Sequence, residues 1–328
     1  MNIAIVGLGS MGKRRIRLLK QYFKNVHIFG IDLRDDRRIE VANQFGISTF
    51  STLNDLFDYT IADAVMVCTS PISHEKIIKE ALAYSSHIFT ELNLLHNYYA
   101  EAIQAAKEKG KVLFLSSTML YRKEVQFIGH QVNASNKKLA YRYHVGQYLK
   151  DWHPWESYKD FFISNKKTNG CREIFAIELP WIIDVFGDIK CFHVEKSELT
   201  SLDIDYPDYY SVILRHRNGI VGSINFDVVS RIARRDFQII GEELQIHWDG
   251  SPSGLAIWND NSKQMEQICL YDQYMKDNTY SKSIIEDAYY EEIKEFLEMI
   301  MARSGSPRYS FEKDKEILQI IDRIEGEL

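Results

Sequence analysis

A short segment near the start of the chain contains glycines with the spacing G-x-G-x-x-G. It follows the apolar run Ile3–Val6, a predicted buried strand, and opens a predicted helix, Met11–Phe23. Glycines at this spacing allow a tight turn and let the backbone approach a pyrophosphate, while the helix start offers N–H groups and a positive dipole end. The spacing therefore predicts a dinucleotide-binding loop. Its residues are Gly7, Gly9, Ser10, Met11 and Gly12.

Asp32 stands at the end of the next predicted strand, Val26–Ile31, twenty residues after Gly12. A carboxylate at this place accepts hydrogen bonds from the adenosine ribose hydroxyls, and its charge repels a 2′-phosphate. We therefore predict NAD as the cofactor, with NADP less favoured. Arg34, two residues further along, would soften that preference.

A polar turn follows another predicted buried strand, Ala64–Cys68. Ligands bind at the carboxyl ends of the strands in open α/β sheets, so we predict that this turn and the start of the next helix contact the cofactor. The alternative is a helix start with nothing bound, since a proline presets the chain for a helix. The predicted residues are Thr69, Ser70, Pro71 and His74.

The elements that position these residues alternate between strand and helix. This alternation predicts a parallel sheet with helices on both faces, the doubly wound arrangement of a Rossmann domain, over residues 1–118. The further predicted elements are helix Arg37–Phe45, helix Ser73–Tyr84, strand His87–Thr90, helix Asn97–Lys109 and strand Val112–Leu115.

Over residues 119–328 the pattern changes to longer strands with alternating polarity. Asn218-Gly219 lies between two of them and is a strong hairpin signal. We predict an α/β domain with an open, mostly antiparallel sheet, followed by helices over 284–301 and 312–325. The predicted strands are Leu139–Tyr148, Tyr209–His216, Ile220–Val229, Phe237–Ile240, Leu244–Trp248 and Leu255–Trp258.

Composition and charge argue against several classes of protein. The formal net charge of −6 argues against a nucleic-acid partner, which would need a basic face. The four cysteines form no C-x-x-C pair and no His, Cys or Asp cluster has ligand spacing, so we predict no metal site. No apolar run is long enough to span a membrane, and the chain opens directly into a strand. We therefore expect a cytoplasmic protein without a membrane partner.

As a set, these motifs resemble the Gfo/Idh/MocA family of nicotinamide-dependent oxidoreductases, which includes glucose–fructose oxidoreductase and inositol dehydrogenase. The matching segments are GLGSMG, Asp32, VCTSP with His74, Glu91–Asn93 and Arg122. The resemblance implies hydride transfer to or from a sugar, cyclitol or nucleotide-sugar, often in surface-polysaccharide metabolism. It also implies that Glu91 contacts the cofactor and that copies form a homo-oligomer, a dimer or tetramer, through the second sheet. The C-terminal helix, 312–325, would pack back toward the Rossmann domain.

The chain departs from this family at the positions that usually transfer protons. Leu92 stands where the family has the lysine of a Glu-Lys-Pro tripeptide, and leucine cannot exchange a proton. A helix of the second domain usually carries an Asp and a His four residues apart, and these positions fall on Ile174 and Glu178. Glu178 could act as a general base if burial raises its pKa. Alternatively, it could form a structural ion pair with Arg172 or Arg122.

The segment 146–161 combines aromatic rings with charged side chains. Flat rings suit the C–H faces of a sugar, so the segment is predicted to line a substrate pocket; the alternative is a surface loop whose rings fill gaps. His153 or Lys159 could also replace the missing base, and Arg172 could hold an anionic group of the substrate. The predicted substrate-binding residues are Leu92, Tyr121, Arg122, Trp152, Trp155, Arg172 and Glu173.

These patterns leave two classes of function. The first is an NAD-dependent oxidoreductase that uses non-standard acid and base residues. The second is a catalytically silent NAD-binding sensor or partner subunit. General acid–base catalysis contributes about 10²–10⁴-fold in rate, so losing both usual residues without a substitute would leave little activity.

Overall fold

The structure, a computed structural model, describes residues 1–152, 157–276, 284–303 and 305–326. The chain divides into two compact units. The first comprises residues 1–117 and 289–319, and the second comprises residues 118–288 and those from 320 onward. The division near residue 118 lies beside the predicted boundary. The return of 289–319 to the first unit is not marked by a local sequence pattern, and the family resemblance implied it for helix 312–325 alone.

The first unit is built on a six-stranded parallel sheet, the predicted Rossmann arrangement. Its elements are β1 (Asn2–Val6), α1 (Ser10–Tyr22), β2 (His27–Ile31), α2 (Asp35–Phe45), β3 (Ser48–Phe50), α3 (Leu53–Tyr59), β4 (Ala64–Val67), α4 (Pro71–Ala83), β5 (His87–Thr90), α5 (Tyr99–Glu108) and β6 (Leu113–Leu115). The strand order is β3-β2-β1-β4-β5-β6. All four residues of β4 are buried, as expected for a strand covered on both faces. The carboxyl ends of β1, β2, β4 and β5 therefore carry the predicted cofactor residues along one edge.

The second unit contains an eight-stranded sheet. Its elements are α6 (Lys123–Ala134), β7 (Leu139–Gly146), α7 (Gly170–Phe186), β8 (Ile189–Ser197), β9 (Tyr209–His216), β10 (Val221–Asp227), β11 (Arg234–Gly241), β12 (Gln245–Trp248), β13 (Ala256–Asn259) and β14 (Gln264–Gln267). The strand order is β14-β13-β12-β11-β7-β10-β9-β8. Among these strands β7 and β10 pair in parallel, and the other neighbours are antiparallel, as predicted.

Alternation along β7 divides the second unit into a core face and an opposite face. Tyr141 and Tyr143 point to the core, where their rings contact Phe186 at 4.2 Å and Trp181 at 5.4 Å, both from α7. The hairpin predicted from Asn218-Gly219 joins β9 to β10, and Gly219 has a φ of +93°. The sheet thus fixes α7, which carries several of the predicted site residues.

Helices α8 (Asp287–Ala302) and α9 (Phe311–Glu325) come last in the described chain. Within the first unit, the ring of Phe296 contacts those of Phe89 and Phe114, at 5.5 and 5.7 Å. None of the described helices is long and apolar enough to cross a membrane.

Among the strands and α-helices named above, five were not predicted from the sequence. They are β3, α3, α6, β8 and β14. Strand β3 has only three residues, and β14 is exposed along its whole length, so neither shows a periodic apolar pattern. Helix α6 buries Val125, Ile128 and Val132, a helical spacing that was available in the sequence.

Candidate active site

The glycine loop between β1 and α1 has a backbone shape that only glycine can adopt without strain. Gly7 has a φ of +95°, and a Cβ atom there would lie 2.7 Å from the carbonyl oxygen of Cys68. A Cβ atom on Gly12 would lie 1.9 Å from the carbonyl oxygen of Gly7. A side chain at Gly12 would therefore push α1 away from β1.

The space over Gly9 fits a cofactor pyrophosphate. A Cβ atom built on Gly9 would have one non-neighbouring atom of the described residues within 4 Å, Nη1 of Arg37 at 3.7 Å. Gly9 is also the residue that precedes α1, and as a glycine it has no side chain with which to cap the start of that helix. An uncapped helix start beside free volume is what a phosphate group needs.

Asp32 is fixed beside this loop by the backbone. Its Oδ2 atom accepts a hydrogen bond from the N–H of Leu8 at 2.8 Å, and Oδ1 accepts one from the N–H of Arg34 at 2.9 Å. The carboxylate is therefore held at the carboxyl end of β2, where the ribose hydroxyls of a dinucleotide are expected.

The arginine side chain that faces Asp32 is not the one expected from the sequence. The guanidinium of Arg34 binds the carboxylate of Asp36, at 2.5 and 3.1 Å. It is Arg37, in the first turn of α2, whose Nη1 atom lies 3.7 Å from Oδ2 of Asp32. Arg37 was not predicted because proximity along the chain favours Arg34.

His74 lies in the first turn of α4, and its ring links the segments that follow β4 and β5. Its Nε2 atom lies 2.9 Å from the carbonyl oxygen of Thr69, and its Nδ1 atom is hydrogen-bonded to Oδ1 of Asn93. Burial lowers the pKa of His74, so the ring is neutral near pH 7. Pro71 is the first residue of α4, as the helix-start alternative predicts. The cofactor contacts of Thr69, Ser70, Pro71 and His74 stay a prediction, and both ring nitrogens of His74 are bonded to groups of the protein itself.

Glu91 belongs to a buried charge cluster in the first unit. Its Oε1 atom lies 2.7 Å from Nε of Arg15, a fully buried side chain of α1. Nη2 of Arg15 also lies 2.7 Å from Oε2 of Glu292, and the other oxygen of this carboxylate, Oε1, accepts the N–H of Ser117 at 2.8 Å. Glu91 therefore connects the cofactor helix to the end of β5, while the neighbouring Leu92 is half-buried.

Glu178 is fully buried on α7 and both of its oxygens have partners. Oε2 accepts hydrogen bonds from the Tyr143 hydroxyl at 2.6 Å and from Nε1 of Trp181 at 2.7 Å. Oε1 forms an ion pair with Arg235 of β11. The structure thus shows the ion pair that the sequence offered as an alternative, with Arg235 as the partner instead of Arg172 or Arg122.

The amino-terminal end of α7 carries a second carboxylate, that of Glu173, whose surroundings differ from those of Glu178. Glu173 is half-buried, and its Oε2 atom is buried without a hydrogen-bond partner among the described residues. Burial raises the pKa of Glu173 to about 7. The neighbouring Arg172, which was predicted to hold an anionic group of the substrate, instead forms ion pairs with Asp322, at 2.7 Å, and with Glu325.

The other predicted residues of the second unit are dispersed. Arg122 makes a bidentate pair with Glu124, at 2.7 and 2.9 Å, and Tyr121 is buried in a short turn beside it. Lys159 is about half exposed and pairs with the exposed Asp203. Trp152 donates through Nε1 to a backbone oxygen at 3.0 Å, and its ring lies near the start of α7.

Two predicted residues cannot be placed. His153 and Trp155 lie outside the described residues. Within the described ranges, no group of three or more His, Cys, Asp or Glu side chains is arranged to hold a metal ion.

Comparison with known proteins supports the prediction that the first unit binds NAD. Residues 1–117 match the GFO_IDH_MocA family model, described as an oxidoreductase family with an NAD-binding Rossmann fold. Myo-inositol 2-dehydrogenase of Thermotoga maritima is 23% identical over 322 residues, which is 94% of this chain and 90% of that protein.

Solved structures show the same fold over nearly the whole chain. A levoglucosan dehydrogenase in complex with NADH and L-sorbose superposes with a TM-score of 0.79 at 16% identity, covering 99% of this chain and 95% of that one. UDP-N-acetylglucosamine 3-dehydrogenase from Acidithiobacillus ferrooxidans gives 0.74 at 16% identity, covering 99% and 96%.

The glycine loop, Asp32 and the six-stranded parallel sheet define an NAD-binding Rossmann domain, and the family model that matches residues 1–117 is one of oxidoreductases. Over residues 1–117 the chain is similar to the Gfo/Idh/MocA oxidoreductase family, and over nearly its whole length it is similar to a myo-inositol 2-dehydrogenase at 23% identity. The predicted fold and the predicted cofactor are thereby confirmed.

Proposed function

We propose that this protein catalyses NAD-dependent hydride transfer at a carbinol carbon of a sugar, cyclitol or nucleotide-sugar, with Glu173 exchanging the hydroxyl proton. The observation that carries this proposal is the carboxylate of Glu173, whose pKa burial raises to about 7. The substrate class is supported by relatives that are named for myo-inositol, levoglucosan and UDP-N-acetylglucosamine. Precursors of surface polysaccharides are the proposed source of the substrate.

Glu173 has the properties that a general acid or base requires. A group exchanges protons most effectively when its pKa lies near the working pH, because both protonation states are then populated. Glu173 meets this condition, and its Oε2 atom has no protein partner in the described chain that would hold it in one state. Its position in the first turn of α7 is fixed by Asn169, whose side chain accepts the N–H of Arg172 at 2.7 Å.

The other candidates are less suited to proton transfer. Both oxygens of Glu178 are occupied by Arg235, Tyr143 and Trp181. The ion pair with Asp203 raises the pKa of Lys159, which keeps this exposed lysine protonated. Leu92 carries no exchangeable proton.

When bound, the nicotinamide supplies the carbon that accepts or gives the hydride. The chain supplies the rest. The loop at Gly7 and Gly12 presents backbone to the pyrophosphate, Asp32 accepts the ribose hydroxyls, and Glu173 takes the proton during oxidation or returns it during reduction. We also propose that copies associate through the face of the eight-stranded sheet opposite α7, as the family resemblance implies.

A substitution of Glu173 tests the proposed reaction. Metabolites retained on purification are identified by mass spectrometry, and these, with myo-inositol, levoglucosan and UDP-N-acetylglucosamine, are assayed by NADH absorbance. We expect Glu173→Gln to lower kcat about 10²–10⁴-fold, since it removes the proton acceptor. NADH affinity, measured by fluorescence, should not change.

The pH dependence has a definite sign. Because the carboxylate must be deprotonated to act as a base, kcat for oxidation should rise as the pH increases through about 7. In reduction the protonated carboxyl group acts as the acid, so kcat for reduction should fall over the same range. Glu195→Gln, at an exposed position of β8, is the matched control. An unchanged kcat in Glu173→Gln would remove Glu173 from the mechanism. No turnover with any of these compounds despite NADH binding would favour the catalytically silent class.

A further inference from the structure

Six charged residues lie between the end of β2 and the first turn of α2, and four of them neutralise one another. Arg34 pairs with Asp36, and Nη2 of Arg38 lies 2.8 Å from Oδ1 of Asp35. Arg38 also donates to the backbone oxygen of Asp32 at 2.7 Å, which fixes it against the chain. The two charges of this group that remain are those of the Asp32 carboxylate and of Arg37.

The Arg37 guanidinium is placed to offset the charge of Asp32. Its Nη1 atom lies 3.7 Å from Oδ2 of Asp32, which is ion-pair range but longer than a hydrogen bond. The oxygens of Asp32 are already engaged by the N–H groups of Leu8 and Arg34. The guanidinium therefore offsets the charge of Asp32, and among the described residues its own N–H donors make no hydrogen bond.

Arg37 also faces the space that the cofactor would enter. It is the side chain that comes within 4 Å of a Cβ atom built on Gly9, and about a third of its surface is exposed. Arginine binds phosphate groups bidentately through its planar fork of N–H donors. A cationic fork at the ribose end of the loop suits a second phosphate as well as the shared pyrophosphate.

We propose that Arg37 is a specificity-determining residue that lets this site accept NADP alongside NAD. Asp32 alone would repel the 2′-phosphate, but Arg37 cancels that charge and offers the phosphate a partner. The inference depends on cofactor binding by the glycine loop and is independent of the role proposed for Glu173.

Direct titration with NADH and NADPH tests the proposal without any substrate. In the unmodified protein we expect the two Kd values, from nucleotide fluorescence, to lie within about tenfold of each other. Arg37→Gln should weaken NADPH at least about tenfold, the usual worth of a charge-assisted hydrogen bond, and weaken NADH less than about threefold. Arg37→Lys keeps the positive charge but loses the planar fork of N–H donors. Its Kd for NADPH should lie between those of the unmodified protein and of Arg37→Gln.

Arg34→Gln is the matched control, because it removes the same charge from a side chain already bound to Asp36. It should leave the ratio of the two Kd values unchanged, and melting temperatures check that each variant is folded. The proposal is overturned if NADPH binds more than about a hundredfold weaker than NADH in the unmodified protein. It is equally overturned if Arg37→Gln weakens both nucleotides alike, or if Arg34→Gln carries the effect. If NADH binds and NADPH does not, the glycine loop still binds the cofactor and only the role proposed for Arg37 is wrong.

Discussion

At the scale of single residues, two glutamates on α7 have opposite surroundings. Glu178 is enclosed by Tyr143, Trp181 and Arg235, whereas Glu173 has a buried oxygen without a partner in the described chain. From the sequence, Glu178 was the candidate base and Glu173 a substrate-binding residue, because their surroundings could not be known. Arg235 lies 57 residues away on β11, and pairing over such a distance is set by sheet register, which no local pattern reveals.

The buried pair of Glu178 and Arg235 predicts a large loss of stability when one partner is removed. Arg235→Met should lower the free energy of unfolding by about 3–5 kcal/mol, because it leaves a buried carboxylate without its cation. Urea denaturation measures this value. The double variant Glu178→Leu with Arg235→Met should recover much of the loss, since both charges are then gone.

An exposed pair provides the comparison. Lys159→Ala, which breaks the pair with Asp203, should cost no more than about 1 kcal/mol. If Arg235→Met lowers the free energy of unfolding as little as Lys159→Ala does, the buried pair of Glu178 and Arg235 does not stabilise the fold to the extent that its burial indicates.

At the scale of elements, the sequence predicts best where one local pattern decides the structure. The β1–α1 unit follows from apolar residues and glycine spacing, and the hairpin at Gly219 follows from its turn type. The edge strands β8 and β14 were missed because their exposed residues show little apolar periodicity. Their places are set by pairing with neighbouring strands, which lies beyond any local signal.

The contact of α1 with β1 predicts different outcomes for two glycine substitutions. Gly12→Ala should abolish NADH binding and lower the melting temperature by several degrees, because its Cβ atom would meet the carbonyl oxygen of Gly7 at 1.9 Å. Gly9→Ala, in open space, should leave the melting temperature nearly unchanged and weaken NADH by crowding the pyrophosphate. Fluorescence titration and calorimetry measure both effects. Equal melting temperatures for the two variants would contradict this account of the loop.

At the scale of the whole molecule, the Rossmann unit is discontinuous along the chain. Residues 289–319 complete it: Glu292 binds Arg15, and Oδ2 of Asp314 accepts the Tyr99 hydroxyl at 2.5 Å. The sequence predicts the end of this domain at residue 118, because strand and helix alternation stops there. Helices α8 and α9 supply packing contacts that the first 117 residues lack.

A fragment of residues 1–118 should therefore not form a stable fold. It would leave Arg15 without Glu292 and would expose Phe89 and Phe114, whose rings contact Phe296. We expect the fragment to show no cooperative thermal transition by circular dichroism. Joining residues 287–326 to it through a flexible linker should restore the transition and NADH binding. A cooperative transition in the short fragment alone would show that the first 118 residues suffice.

The pair of Arg15 and Glu292 also sets an order of events during synthesis. Two hundred and seventy-seven residues separate the partners, so at about 5–20 residues per second Glu292 leaves the ribosome roughly 14–55 s after Arg15. During that interval the cofactor helix has been made, but the carboxylate of α8 has not. The unit that contains α1 is thus completed only after the intervening unit has been made, and until then the nascent chain must keep an incomplete nucleotide-binding unit from aggregating.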